Sequence, residues 1–338
     1  MKPTQKLYRV CSMVLAGLLV LPASALAMEL RISTLLPDGT AEVRALRQAS
    51  NQISAETDGR VSLRLFPGGV MGDDDAIERR IRAGQVHGAL VQSGALSGSF
   101  RDIQILNAPF IIEDYAEVDH LRAVFSEDME QGLKAQGIHT FGFIDGGFAY
   151  VMSREPARSV EDLRNSRVWL PANDNFSIQV ARAFGVSPTV LGISEVLTSI
   201  QTGVVDTIIA PATAALTLQW FSRLDYVTDM PLIYTFATLY IHERYMSRLS
   251  AEDRAVVDRV LREATRQMDE NARHNNRAAF DALLNQGLER VELTREERDA
   301  VRDKAEEAHN VLIREGEFSR EWHGRLLEAL EDYRQNSS

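Results

Sequence analysis

The chain has 338 residues, with 37 Lys and Arg against 48 Asp and Glu and a net charge of −11. Apolar residues make up 45% and charged residues 25%, the balance of a folded globule and not of a disordered, collagenous or coiled-coil chain. The acidic balance excludes a nucleic-acid surface and docking on anionic lipid, which need a basic face, and the single cysteine excludes an internal disulfide.

The amino terminus reads as an export signal. Lys2, Lys6 and Arg9 precede an apolar run from Val10 to Leu21, and Ala25-Leu26-Ala27 supplies small residues at the −3 and −1 positions. The apolar run is about half of the roughly 20 residues a spanning helix needs, so cleavage after Ala27 is expected. Cys11 lies far from that point, which does not suit a lipoprotein. Removing residues 1–27 takes away three cations and no anion, so the exported protein is more acidic still and has no cysteine. Such a chain is long enough to build a core without disulfides, and no later stretch is apolar enough to span a membrane. The expected location is the periplasm.

Leu30 to Leu35 reads as a strand, and Pro37-Asp38-Gly39-Thr40 as a turn with Thr40 a helix cap. Val43, Leu46, Ala49 and Ile53 share one helix face, and Gly59 stops that helix. Val61, Leu63 and Leu65 alternate with polar residues as a second strand. This βαβ order builds parallel sheets flanked by helices. A short helix from Asp75 to Arg82 and strands at Val86–Val91 and His139–Ile144 follow.

The pattern then restarts. Ala149 to Met152 is apolar, and Ser159-Val-Glu-Asp162 has capping-box form. Val168 to Pro171 and Val205 to Ala210 read as strands, with helices at Phe176–Phe184 and Ser194–Gln201. Two successive α/β segments without a linker predict two lobes. From Ser250-Ala-Glu-Asp253 to Leu284 nothing breaks a helix, and 35 residues at 1.5 Å each span roughly 50 Å. That exceeds one lobe, so this helix is expected to cross both. Thr294-Arg-Glu-Glu297 caps a further helix.

Catalytic motifs are not found. There is no G-x-S-x-G elbow, Walker loop or H-E-x-x-H, and no two of the seven histidines sit at i, i+3 or i+4. Asp73-Asp74-Asp75 precedes a helix whose N-terminal dipole favours carboxylates, which explains the run better than a cation does. The acidic positions Glu296, Glu297, Glu306 and Glu307 read as solvated helix faces. Neither a metal nor a cofactor is expected. Ligands of open α/β sheets sit at strand carboxyl ends, and two such edges facing each other make a cleft closed by hinge motion. The loops entering it would follow Leu35, Val91, Ile144, Leu170 and Ala210.

Several stretches carry a resemblance. They are Arg60-Val-Ser-Leu-Arg-Leu-Phe-Pro-Gly-Gly-Val-Met-Gly72, Ile81-Arg-Ala-Gly-Gln85, Ala108-Pro-Phe110, Ser159-Val-Glu-Asp-Leu163 and Gly185-Val-Ser-Pro188. The most diagnostic is Ser194-Glu-Val-Leu-Thr-Ser-Ile-Gln-Thr-Gly-Val-Val-Asp206. In this order the chain resembles the extracytoplasmic solute receptors of tripartite ATP-independent periplasmic (TRAP) transporters, the dicarboxylate-receptor-like family. The resemblance implies a two-lobe α/β fold of the periplasmic-binding-protein type, with hinge strands and a long helix crossing both lobes. It implies a receptor, not an enzyme, that captures a small organic acid and delivers it to membrane permease subunits.

The resemblance also locates a pocket, and there this chain departs from the family. Trp169 stands where the family places a carboxylate-binding arginine, Ala149 near a second arginine, Ala210 for an asparagine, and Gln92 at an acidic or polar position. The bidentate carboxylate clamp is lost. The expected ligand-binding set is Gln92, Ser93, Phe148, Ala149, Trp169, Asn173, Asp174, Ile193 and Ala210. Trp169 would offer a flat apolar face with one N–H donor, although its neighbours Val168 and Leu170 suit a core. Asn173 and Asp174 either bond ligand or cap the helix at Phe176. Residues 28–146 with 235–265 are expected to form lobe I, and 147–234 with 266–338 lobe II. Two other readings remain open: a ligand sensor for a membrane kinase, and a secreted enzyme using Asp145, Asp174 and Gln219 in the same cleft.

Overall fold

The computed structural model describes residues 27–172 and 174–337. The expected export signal and Asn173 therefore lie outside the described residues, apart from Ala27.

Strand β1 (Met28–Thr34) leads to helix α1 (Ala41–Glu56), which Thr40 caps by accepting the Val43 N–H. β2 (Val61–Phe66), α2 (Asp74–Arg82) and β3 (Gly88–Gln92) follow. Asp73 caps α2 through the Ala76 N–H, so part of the acidic run is spent on a helix end, as expected. Two 3-10 segments, Ser93–Leu96 and Arg101–Asn107, lead to α3 (Tyr115–Ala135), a helix the periodicity reading did not place.

β4 (Ile138–Ser153) then runs unbroken for 16 residues. The two apolar stretches at 139–144 and 149–152 are thus one strand, joined through Gly146 and Gly147. The second half contains α4 (Val160–Asn165), β5 (Val168–Pro171), α5 (Asn175–Ala183), β6 (Thr189–Leu191), α6 (Val196–Thr202), β7 (Thr207–Pro211), α7 (Ala212–Thr217) and β8 (Tyr226–Thr228). β9 (Ile233–His242) returns to the first half and was also missed. α8 (Glu243–Met246), α9 (Ala251–Asn285), β10 (Glu289–Val291), α10 (Arg295–Glu315) and α11 (Arg320–Ser337) complete the chain.

All strands join one sheet in the order β2-β1-β3-β9-β4-β7-β5-β6, with β8 on β4 and β10 on β8. β1, β2 and β3 are mutually parallel, as are β5, β6 and β7, while β4 and β9 pair antiparallel along most of their length. The two lobes are therefore continuous through β4 and β9. Helix α9 has 35 residues, begins at the Ser250 cap, and lies against α1, β4 and α7. It crosses both lobes, as its length required. Its buried stripe runs from Val257 to Met268, then resumes only at Ala279 and Leu283. Over the hinge the helix carries no buried residue.

A second core lies around Trp169, with Met152, Ile200, Ile208 and Val227. At the carboxyl end α10 packs on α5, but α11 packs on α3. Residues 320–337 thus pack on α3.

Candidate functional site

The register shows where strand ends converge. Gln92, the last residue of β3, stands opposite Ala237 of β9, which stands opposite Ile144 of β4. Pro211, the last residue of β7, stands opposite Ala149 of β4. β3 runs parallel to β4 and β7 antiparallel to it, so the two sets point their carboxyl ends toward each other. Five residues of β4 separate them, about 17 Å of strand. This is the cleft expected at the ends of two α/β halves.

The stretch between the ends is irregular. The β4–β9 register shifts between Asp145 and Gly147, a bulge that lets the strand bend. Gly147 has φ +83°, and a Cβ there would lie 2.7 Å from Asn276 Cγ. Only glycine fits both that conformation and that approach. The Gly147 carbonyl accepts the Thr235 hydroxyl at 2.9 Å.

Asp145, 4% exposed, is the polar centre of the hinge. It accepts the Tyr115 hydroxyl at 3.2 Å and Asn276 Nδ2 at 2.8 Å. Its own N–H donates to Asp269 at 2.8 Å, and Asp269 also takes Arg122 at 2.8 Å. The network thereby ties α3 and α9 to β4. Asp145 Oδ1 and the Tyr234 hydroxyl are buried side by side without a well-directed hydrogen bond. Burial pushes the Asp145 carboxyl above its usual range, partly offset by the hydrogen bonds from Asn276 and Tyr115 and by the neighbouring Tyr234 hydroxyl. Burial also raises the Tyr115 hydroxyl, and raises Tyr150 to about 12.

Beside this network lies a cavity of about 250 Å³. Tyr115, Phe148, Tyr150 and Phe280 form its aromatic walls, and Asn276, Arg277 and Asp281 of α9 supply polar groups. Ala212, at the start of α7, borders it from the second lobe. Phe148 meets Tyr115 edge-on at 5.2 Å between centroids, and Tyr150 meets Phe280 at 4.7 Å. Apolar walls with a few convergent polar groups are the usual composition of a small-molecule site.

The expected site residues separate into three groups. Gln92 and Ile193 are exposed, Ile193 at 55%. Phe148 lines the cavity. The rest are spent on structure. Trp169 is 2% exposed; its indole N–H donates to the Leu191 carbonyl at 3.1 Å and its ring lies edge-on to Trp220 at 5.0 Å. Its ring and its N–H donor are thus engaged within the protein. The physical reason is register: Trp169 pairs with Ile208 and shares its face, which is the second core. Ala210 is buried on that same face, and Ala149 is buried on the opposite face of β4 from Phe148 and Tyr150. Ser93 is buried and bonds Asn107 at 3.0 Å, which in turn bonds the Tyr234 carbonyl. Asp174 caps α5 by accepting the Ser177 N–H at 3.0 Å. Asn173 lies outside the described residues.

The sequence reading missed Tyr115, Tyr150, Asn276, Arg277, Phe280 and Asp281 as cavity residues. Only one signal pointed to the last four: polar residues interrupt the apolar stripe of the long helix between Met268 and Ala279. Among the described residues no group of three His, Cys, Asp or Glu is placed to hold a metal. No described helix is long and apolar enough to cross a membrane.

Known proteins resemble this chain over most of its length. The family model described as bacterial extracellular solute-binding protein, family 7, matches residues 32–315. The C4-dicarboxylate-binding periplasmic protein DctP of Rhodobacter capsulatus is 23% identical over 87% of this chain and 89% of its own. The sialic acid-binding periplasmic protein SiaP of Vibrio cholerae is 23% identical over 66% of this chain and 70% of its own. A TRAP periplasmic solute-binding protein of Ochrobactrum anthropi superposes with a TM-score of 0.79 at 21% identity, over 92% of this chain and 97% of that one.

Proposed function

Because the chain belongs to the bacterial extracellular solute-binding proteins of family 7, we propose that it is the receptor of a TRAP-type secondary transporter. It captures a small organic acid between its lobes and hands it to the membrane permease subunits. The observation that carries this reading is the pair of strand-end sets facing each other across residues 144–149 of β4. Relatives named for sialic acid and for C4-dicarboxylates support an acid as the ligand class. Gln92, at the end of β3, and the exposed Ile193 contact the solute, while Phe148 lies on the other face of the sheet, toward α9. The chain acts by binding and release and leaves its ligand chemically unchanged, unlike an enzyme in the same cleft.

The lobes divide as residues 28–146 with 235–265 and residues 147–234 with 266–319, while 320–337 move with the first lobe because α11 lies on α3. Export removes residues 1–27, and mass spectrometry of periplasmic protein should find Met28 at the amino terminus.

The deciding experiment is a thermal-shift and calorimetry screen of the exported chain against C4-dicarboxylates, sugar acids, sialic acid and 2-hydroxy acids. A ligand at 100 times its Kd adds about 2.7 kcal/mol of stability. Saturable binding with full recovery of unaltered ligand supports the receptor. Conversion of the ligand during incubation, or binding confined to neutral solutes, overturns it.

A further inference from the structure

Arg31 of β1, Arg244 of α8 and Arg248 just beyond it converge on one pair of stacked rings. His87 stacks on Tyr245 at 4.1 Å between centroids. The Arg31 guanidinium lies 2.8 Å from His87 Nε2, and those of Arg244 and Arg248 lie 4.7 and 5.1 Å from the Tyr245 ring centre. Strand direction sets this cluster apart from the cleft. His87 precedes β3 and His242 ends the antiparallel β9, whereas Gln92 closes β3 at the cleft end, five residues and about 17 Å away.

Three like charges gathered in an acidic chain repel one another, and none of the three makes an ion pair among the described residues. Carboxylates on the same and adjoining elements are engaged elsewhere: Glu29 with Arg64 at 3.7 Å, Glu78 with Arg82 at 2.6 Å and Glu243 with Arg254 at 2.8 Å. Arg31 Nη2 donates to the Gly84 carbonyl at 2.6 Å, but Arg31 Nε and the Nε and Nη2 of Arg244 are buried without an acceptor. A buried charged donor left unpaired is costly, and an anion would satisfy all three nitrogens. The histidines stay neutral. Burial, then Arg31, Arg248 and Arg244, lowers His87 to about 4, and burial with Arg244 lowers His242. The last turn of α2 adds Arg79 and Arg80, and the Tyr245 hydroxyl holds that turn in place by donating to the Ile81 carbonyl at 3.1 Å.

We propose that this end of the first lobe binds a phosphoryl anion, held by the guanidinium groups of Arg31, Arg244 and Arg248. A phosphomonoester carries about −1.5 to −2 charges at neutral pH and three acceptor oxygens, which suits three cations better than a single carboxylate does. The planar fork of N–H donors on Arg fits such oxygens. Arg248 is exposed and admits the anion, while the half-buried Arg31 and Arg244 hold it from the protein side. Free phosphate, a phosphomonoester and a phospholipid headgroup share this chemistry. The net charge of −11 opposes approach to an anionic bilayer and favours the free forms. The site is separate from the solute cleft, so the receptor can hold both ligands at once.

Two measurements on the exported chain test this. Calorimetry at constant ionic strength in chloride uses inorganic phosphate and phenyl phosphate, with acetate as the carboxylate control. Cosedimentation uses vesicles of phosphatidylglycerol or of phosphatidylcholine. Phosphate should bind saturably at one site, and acetate roughly 10-fold or more weakly. Arg248→Gln should weaken phosphate binding roughly 10-fold, and Arg244→Gln with Arg248→Gln roughly 100-fold, the worth of one and two charge-assisted contacts. Arg248→Lys should recover part of the loss. If the double variant fails to fold, Arg248→Gln decides alone, because that side chain is exposed. Phosphate binding without vesicle binding assigns the free anion. Binding to phosphatidylglycerol that Arg248→Gln weakens assigns the headgroup. The proposal is overturned if neither phosphate nor vesicles bind, if acetate binds as tightly as phosphate, or if Arg248→Gln binds the anion within twofold of the parent.

Discussion

The second core around Trp169 and the hinge around Asp145 lie a few residues apart along the same sheet, yet they treat buried polar groups in opposite ways. At Trp169 the one polar atom is matched to the Leu191 carbonyl, and Trp220, Met152 and Ile208 fill the space around the ring. At the hinge a carboxylate is buried with one oxygen lacking a well-directed partner, two glycines replace side chains, and a cavity remains beside α9. Packing to full density yields stability and a single conformation. An imperfectly satisfied, glycine-bent strand has lower local stability and can rearrange. At position 169 an aromatic ring has been absorbed into a core, and open space is found at the bend.

The contrast is most easily broken at Trp169. Trp169→Ala should cost about 3–5 kcal/mol through lost burial and a cavity, read as a large fall in the urea midpoint. A variant that melts like the parent but loses ligand would return Trp169 to the pocket. At the hinge, Gly147→Ala places a methyl group against Asn276 at a positive φ and should cost about 2 kcal/mol. It should also change ligand affinity by altering closure, whereas a core substitution changes stability alone. Equal affinity in parent and variant would show that the bend at residues 145–147 does not take part in closure.

Two smaller effects sharpen the comparison. A carboxyl whose folded pKa is raised binds protons more tightly in the folded state, so its ionisation at neutral pH works against folding. Asp145→Asn should therefore stabilise the protein by about 1 kcal/mol or less at pH 7, and the gain should vanish as pH falls toward 4. A gain that grows on acidification would mean that the ionised form is the favoured one and that the hinge is as well satisfied as the core. Ile193→Ala should change stability by less than about 0.5 kcal/mol because the side chain is already exposed. Its effect should appear in ligand affinity, by a few-fold, and no change in affinity would remove Ile193 from the cleft rim.

How much of this was legible beforehand follows a physical line. Thr40, Asp73, Ser159, Ser250 and Thr294 announced their helices, because a cap is a local hydrogen bond between near neighbours in sequence. The long helix was legible for the same reason, since nothing in 35 residues interrupts it. β4 was seen as two pieces because glycines at 146 and 147 look like a break, whereas pairing with β9 holds the strand together through the bulge. α3 and β9 were missed for want of a clear period: β9 is buried along nearly its whole length, and α3 meets solvent, sheet and α11 on different faces.

The amino-acid order by itself determined the caps, the α/β alternation, the uninterrupted helix and the family resemblance, all of which depend on neighbours in sequence or on patterns read in order. Which face of a strand becomes core was decided only by tertiary structure. That choice depends on pairing register, and a shift of one residue moves every side chain to the other face. Val168-Trp169-Leu170 contains no mark that turns the indole toward Trp220 and away from the cleft; the pairing of Trp169 with Ile208 does that. The meeting of Tyr115, Tyr150 and Arg277 is equally invisible in the chain, because they come from three elements that only the hinge brings together.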